Sequence, residues 1–168
     1  MNKLILPVVI AVISTLPLSS LYAQEKKETE DWIKQVVENY AYNSHEVTNR
    51  YTVTFQDFQT LNCYMTINGY NSIEDLSVNV NYRYDIDPSE LSGVQFEERD
   101  QNVQMIFKIK PGTDGYIFVR WPDYSERKDQ VSLLMSAPLK QNNMIQRLTD
   151  AFNHYIKLCG GEPLDDTF

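Results

Sequence analysis

NNMIQRLTDAFNHYIKLC, residues 142–159, is the stretch whose reading decides the fold. Met144, Ile145, Leu148, Ala151, Phe152, Tyr155, Ile156 and Cys159 recur at three- and four-residue spacing, which stacks them on one face of an α-helix. Gln146, Arg147, Thr149, Asp150, Asn153, His154 and Lys157 take the opposite face, so the helix is amphipathic and has one side to cover. Pro138 holds off an earlier start, Asn142 or Asn143 is placed to cap the free N–H groups, and Gly160-Gly161 with Pro163 ends the helix.

Upstream, the period changes to 2, and the cover for that helix reads as a sheet. Tyr51, Val53 and Phe55 alternate with polar residues; a turn is expected near Asp57; then Leu61, Cys63, Met65 and Ile67 form an inward set. Asn68-Gly69 and Asn71-Ser72 read as turn chemistry. Leu76, Val78, Val80, Tyr82, Tyr84 and Ile86 make the longest clean alternation, followed by strands at 94–98, 103–110, 116–121 and 130–136. Tyr116 to Val119 is apolar on both faces and reads as a strand covered on both sides, and Trp121-Pro122-Asp123-Tyr124 opens a charged loop, Ser125 to Asp129. Ahead of the sheet, Gln24 to Glu28 reads as a mobile leader, Thr29 as a cap, and Trp32, Ile33, Val36, Val37 and Tyr40 as the stripe of a helix of about three turns.

The N-terminus has an address. Lys3, the apolar run Leu4 to Leu16, and the small-residue end through Leu21-Tyr22-Ala23 follow the order of a secretory signal, with cleavage expected after Ala23. The competing reading, an uncleaved anchor, meets a run interrupted by Pro7 and Ser14 and shorter than the roughly 20 residues of a membrane span. Residues 1–23 are therefore expected to be a signal peptide and 24–168 a single globular α+β domain, periplasmic or secreted, with no membrane insertion after signal removal. The formal net charge is −8, and removal of Lys3 makes it one unit more negative. That balance argues against nucleic acid as a partner, because phosphates need Lys and Arg. In an oxidising compartment, Cys63 and Cys159 invite one disulfide; the alternative is two buried thiols.

Residues that carry chemistry are sparse. His45 and His154 stand in no zinc-ligand spacing, the six glycines form no phosphate loop, and no Ser-His or Cys-His arrangement suggests nucleophilic catalysis. Asp87-Pro88-Ser89-Glu90 reads as a capped helical turn, with Glu90 reaching back to the cap; the competing reading is a metal site from Asp85, Asp87 and Glu90, which lacks the glycine-containing loop of the calcium motif. Glu97 and Glu98 are adjacent on a strand and point to opposite faces, so they share no site. No catalytic residue, metal or cofactor is assigned. Aromatic content is the remaining oddity: eleven tyrosines, with Tyr82, Tyr84, Tyr116, Trp121 and Tyr124 concentrated around the central strands and one loop. Trp121 and Tyr124 are the candidate binding residues, open equally to a core reading.

The order of one helix, about seven antiparallel strands and a closing amphipathic helix resembles the pleckstrin-homology-like barrel, in which a curved sheet is plugged by its C-terminal helix. The chain is also similar to small exported bacterial proteins of uncharacterised function. The resemblance rests on Tyr84-Asp85-Ile86-Asp87-Pro88, on Leu148, Ala151, Phe152 and Ile156 of the last helix, and on Leu158-Cys159. It implies a curved antiparallel sheet closed by a helix. Phosphoinositide-binding members use basic residues in the first strand pair; Arg50 stands there alone, without a basic cluster. The function expected is a non-enzymatic binding or scaffolding domain of the cell envelope or secreted fraction, holding a protein or peptide. The alternative is a carrier of a small apolar ligand between sheet and helix, with an enzyme ranked third.

Overall fold

The computed structural model describes residues 18–42, 45–48, 51–73 and 78–164. Its elements are α1 (Leu18–Tyr40), β1 (His45–Thr48), β2 (Tyr51–Thr60), β3 (Met65–Ile73), β4 (Val78–Ile86), β5 (Leu91–Glu98), β6 (Asn102–Ile109), β7 (Ile117–Arg120), β8 (Ser125–Lys128), β9 (Gln130–Ser136) and α2 (Met144–Leu158). Short 3₁₀ turns lie at Pro88–Glu90 and Ala137–Lys140. The fold is α+β and every strand pairing is antiparallel.

The strands make two sheets, one of six in the order β1-β2-β3-β4-β7-β8 and one of three in the order β5-β6-β9. This corrects the expectation of about seven strands in a single curved sheet; the two sheets are not closed into a barrel. Two strands are not legible in the sequence because they are edge strands held by backbone bonds, without apolar alternation: His-Glu-Val-Thr in β1 and Ser-Glu-Arg-Lys in β8. The split begins at Asp87, whose carboxylate accepts from Ser89 N (2.9 Å) and caps a turn with Pro88 at its start. Proline has no N–H for a ladder, so the chain leaves the first sheet here and β5 pairs with β6 instead. Glu90 does not complete the expected capping box; its side chain lies over Gly115.

Helix α2 joins the two sheets. Phe152 meets Phe58 of the larger sheet and Phe107 of the smaller one edge-to-face, at 6.5 Å and 5.6 Å between ring centroids. Leu148, Phe152, Tyr155 and Ile156 are fully buried, as the spacing of residues 142–159 implied. Burial of each such side chain stabilises by about 1.5–3 kcal/mol. Asn143 is the N-cap through its left-handed backbone (φ 55°) and not through a side-chain bond.

Helix α1 corrects the reading of Gln24 to Glu28 as a mobile leader and of Thr29 as a cap. It is already helical at Leu18 and passes through Ala23 and Gln24 to Glu28, so Thr29 caps nothing; its hydroxyl donates to Glu25 O at 2.9 Å inside the helix. Residues 1–17 of the signal-peptide reading lie outside the described residues. Among those described, no helix is long and apolar enough to cross a membrane.

The first hairpin also differs. Strand β2 continues through Asp57, absorbing Gln56 as a bulge where a turn was expected, and β3 runs straight through Asn68-Gly69 and Asn71-Ser72. The turn falls at Asn62-Cys63, both at positive φ (52° and 60°), with Leu61 and Tyr64 exchanging backbone bonds of 2.9 and 3.1 Å. That two-residue pattern matches the twist of the flanking strands. Cys63 is therefore at the hairpin tip and not in an inward strand set, and Leu61 is exposed. From the tip, Cys63 is bonded to Cys159 at the C-terminus of α2, with the two Cα atoms 5.4 Å apart.

Candidate functional site

Register places the polar residues of β2, β3, β4 and β7 on one outer face. Asp57 pairs with Asn68, Asn68 with Arg83, and Arg83 with Arg120. Cross-strand partners point to the same side of the sheet, so these four form a row. The residues between them, Phe58, Ile67, Tyr82 and Val119, are buried on the inner side. Sequence alternation assigned the faces, but only register brought the row together.

A recess of about 640 Å³ opens on this row, lined by Asn68, Asn81, Arg83, Arg120, Tyr82 and Trp121 among others. Tyr82 and Trp121 reach it from the inner side, where they belong to a ladder: Tyr84 to Tyr82 at 4.9 Å, Tyr82 to Trp121 at 6.0 Å, and Trp121 to Tyr124 at 5.9 Å with the last two rings stacked. The ladder separates the two candidate residues. Trp121 is half-buried, packs against the core, and keeps its indole Nε1 buried without a hydrogen-bond partner among the described residues. Tyr124 is 59% exposed and is the free end. Both stand in the β7–β8 hairpin turn, closed by Trp121 N donating to Tyr124 O at 2.8 Å, where a long charged loop was expected.

Gly69 makes room for the ladder. It faces Tyr82 across the β3–β4 pair, and a Cβ there would overlap both the Tyr82 phenol and the Thr54 carbonyl. A glycine read as a turn residue is thus the seat of a buried ring in mid-strand.

Asp85 stands out in the sequence only as a competing metal ligand, and its arginine partners do not stand out at all. Asp85 is buried and receives both Arg83 Nε (2.6 Å) and Arg120 Nε. The carboxylate pushes the Arg83 guanidinium above its ordinary value. Burial, then the same carboxylate, pushes the Tyr64 phenol up as well. Arg83-x-Asp85 on the polar side of a strand was the available signal; Arg120 lies 35 residues from Asp85 and joins through pairing alone. Asp85 and Asp87, weighed as metal ligands with Glu90, are engaged by the arginines and by the cap, and no group of three metal-capable side chains occurs among the described residues. On β7 and just before it the outer aromatics are covered by cations and not by a second layer: Arg120 lies 4.9 Å over Phe118 and Arg127 4.1 Å over Tyr116.

The remaining candidates are dispersed. His154 is exposed on α2, with Nε2 3.0 Å from Glu25 Oε1, and Glu97 and Glu98 are exposed on β5. The side chain of His45 lies outside the described residues.

No family model matches the chain, and neither does any curated protein or solved structure.

Proposed function

We propose that this chain is a non-enzymatic binding domain of the cell envelope or secreted fraction, and that it receives a protein or peptide segment at the recess lined by Asn68, Arg83, Arg120 and Trp121. The observation that carries this reading is the aromatic ladder, which runs from the buried Tyr82 through Trp121 to the exposed Tyr124 at the rim of a recess. An anchored aromatic beside polar side chains suits a binding surface, because the ring offers contact area at little cost in side-chain entropy. The disulfide fits an exported protein. The kinship to the pleckstrin-homology-like barrel belongs to the same proposal and draws on the helix–strands–helix order, with α2 packed on both sheets.

The test is a photo-crosslinking amino acid at position 124 of the exported chain in its producing cells, with position 100 as an exposed control. Discrete protein adducts at 124 and none at 100 support the reading. Equal labelling at both, or none at 124, removes it.

A second reading, a carrier of a small apolar ligand, has one supporting observation. A recess of about 290 Å³ is lined by Val53, Phe55, Tyr82, Tyr84, Leu133 and Leu134 together with polar residues. It includes residues of both sheets and none of α2, whereas the carrier was expected to use the space between sheet and helix. Native mass spectrometry of the exported chain tests it: a bound small-molecule mass supports the carrier, and a bare chain argues against it.

A further inference from the structure

Arg83 and Arg120 stand opposite each other on β4 and β7 and reach the two oxygens of one carboxylate. The Asp85 side chain is 4% exposed, whereas those of Arg83 and Arg120 are 48% and 56% exposed. Both contacts with Asp85 use Nε. A guanidinium carries five N–H donors in a rigid plane, so the Nη edges remain for another acceptor. The Arg120 plane is held by Phe118 beneath it, 4.9 Å from guanidinium carbon to ring centroid. The two cations share one buried anion, so the Arg83–Asp85–Arg120 cluster itself carries one positive charge in excess, although Asp57 lines the same recess and brings the recess as a whole to balance. Asp57 is held on its own side of the recess by two neutral amides, Asn68 Nδ2 at 2.7 Å and Gln59 Nε2 at 2.6 Å, and makes no ion pair with either arginine among the described residues.

Resting on the reading that this recess receives a peptide, we infer that Arg83 and Arg120 form a carboxylate-binding fork and that the occupant is an acidic peptide segment. Its carboxylate meets the Nη groups, its backbone meets the amides of Asn68 and Asn81, and its apolar part runs along Trp121. Asp85 is the positioning residue, holding both forks in place through Nε. A side-chain carboxylate and a C-terminal one share this chemistry.

Nuclear magnetic resonance of the exported chain tests it, because Trp121 lines the recess and its indole N–H signal reports on that ring, while that of Trp32, on α1, serves as an internal control. Four probes are titrated at constant ionic strength and millimolar concentration: N-acetyl-dialanine, its C-terminal amide, N-acetyl-glutamyl-alanine amide, and galacturonate. The expected result is saturable movement of Trp121 but not Trp32 with at least one of the two acidic peptides and not with the dialanine amide. Which acid acts names the carboxylate as C-terminal or side-chain. Arg83→Gln or Arg120→Gln should weaken that binding about tenfold or more. Arg120→Lys, which keeps the charge and loses the fork, should recover only part of it and serves if a Gln variant fails to fold. Binding of the dialanine amide as strong as the acids, or binding indifferent to both arginines, overturns the carboxylate fork and leaves the peptide reading standing. Response to galacturonate alone overturns the peptide as occupant. No response to any probe overturns both.

Discussion

The phenol of Tyr155 on α2 donates to Glu30 Oε1 on α1 at 2.8 Å, and both residues are buried. The same oxygen accepts Cys63 N at 3.5 Å, so one carboxylate joins two helices and the tip of the β2–β3 hairpin. Glu30 sits in the middle of α1 as an interior acceptor. Removing its donor leaves that acceptor short of a partner, and Tyr155→Phe should cost about 1–3 kcal/mol in denaturant unfolding.

The same pair sets a pH dependence. Burial and then Glu30 hold the Tyr155 phenol well above its ordinary value. The folded state therefore keeps a proton that the unfolded chain releases near pH 10, so the stabilisation is complete below that pH and is lost as pH rises through and beyond it. Tyr155 should contribute a fall of up to about 1.4 kcal/mol per pH unit above roughly pH 10. Unfolding curves at stepped alkaline pH should show a shallower decline in Tyr155→Phe; an unchanged slope would assign it to other groups.

The disulfide closes a loop spanning 96 positions. In the chain-entropy model its loss costs about 4–5 kcal/mol, which thermal melting with and without reductant should report. The tip geometry adds a finer expectation. Cys63 has φ 60°, a conformation glycine adopts freely. In a Cys159→Ala background, Cys63→Gly should therefore be more stable than Cys63→Ala by about 1 kcal/mol.

Gly69→Ala should destabilise by about 2 kcal/mol or more, because one of the atoms its Cβ would overlap is the Thr54 backbone carbonyl and cannot rotate away. Adding Tyr82→Phe should recover only part of the loss, since the backbone clash remains. Full recovery would place the whole cost on the Tyr82 hydroxyl.

Trp121→Ala and Tyr124→Ala should part company. Trp121 packs against the core and Tyr82, so its truncation should cost about 2–3 kcal/mol, somewhat below a fully buried aromatic. Tyr124 loses one stacked ring contact, worth about 1 kcal/mol. Melting temperatures of the two variants check this, and a larger loss at Tyr124 would contradict the order of the ladder.

The sequence by itself determined the α2 helix, most strand positions and their buried faces, and that Asp87 and Pro88 form a cap. These are local properties: periods of 3.6 and 2, and side chains that bond to their own backbone. Tertiary structure decided the division into two sheets, the edge strands β1 and β8, the place of Cys63 at a turn, and Gly69 as a seat for Tyr82. It also decided the site. Arg120 reaches Asp85 only because β7 pairs with β4, and Glu30 meets Tyr155 only because two helices distant in sequence pack together. Neither local preference nor periodicity encodes which strand pairs with which; that choice is made by burying all the apolar faces at once, and the outer-face arginines come together as its consequence.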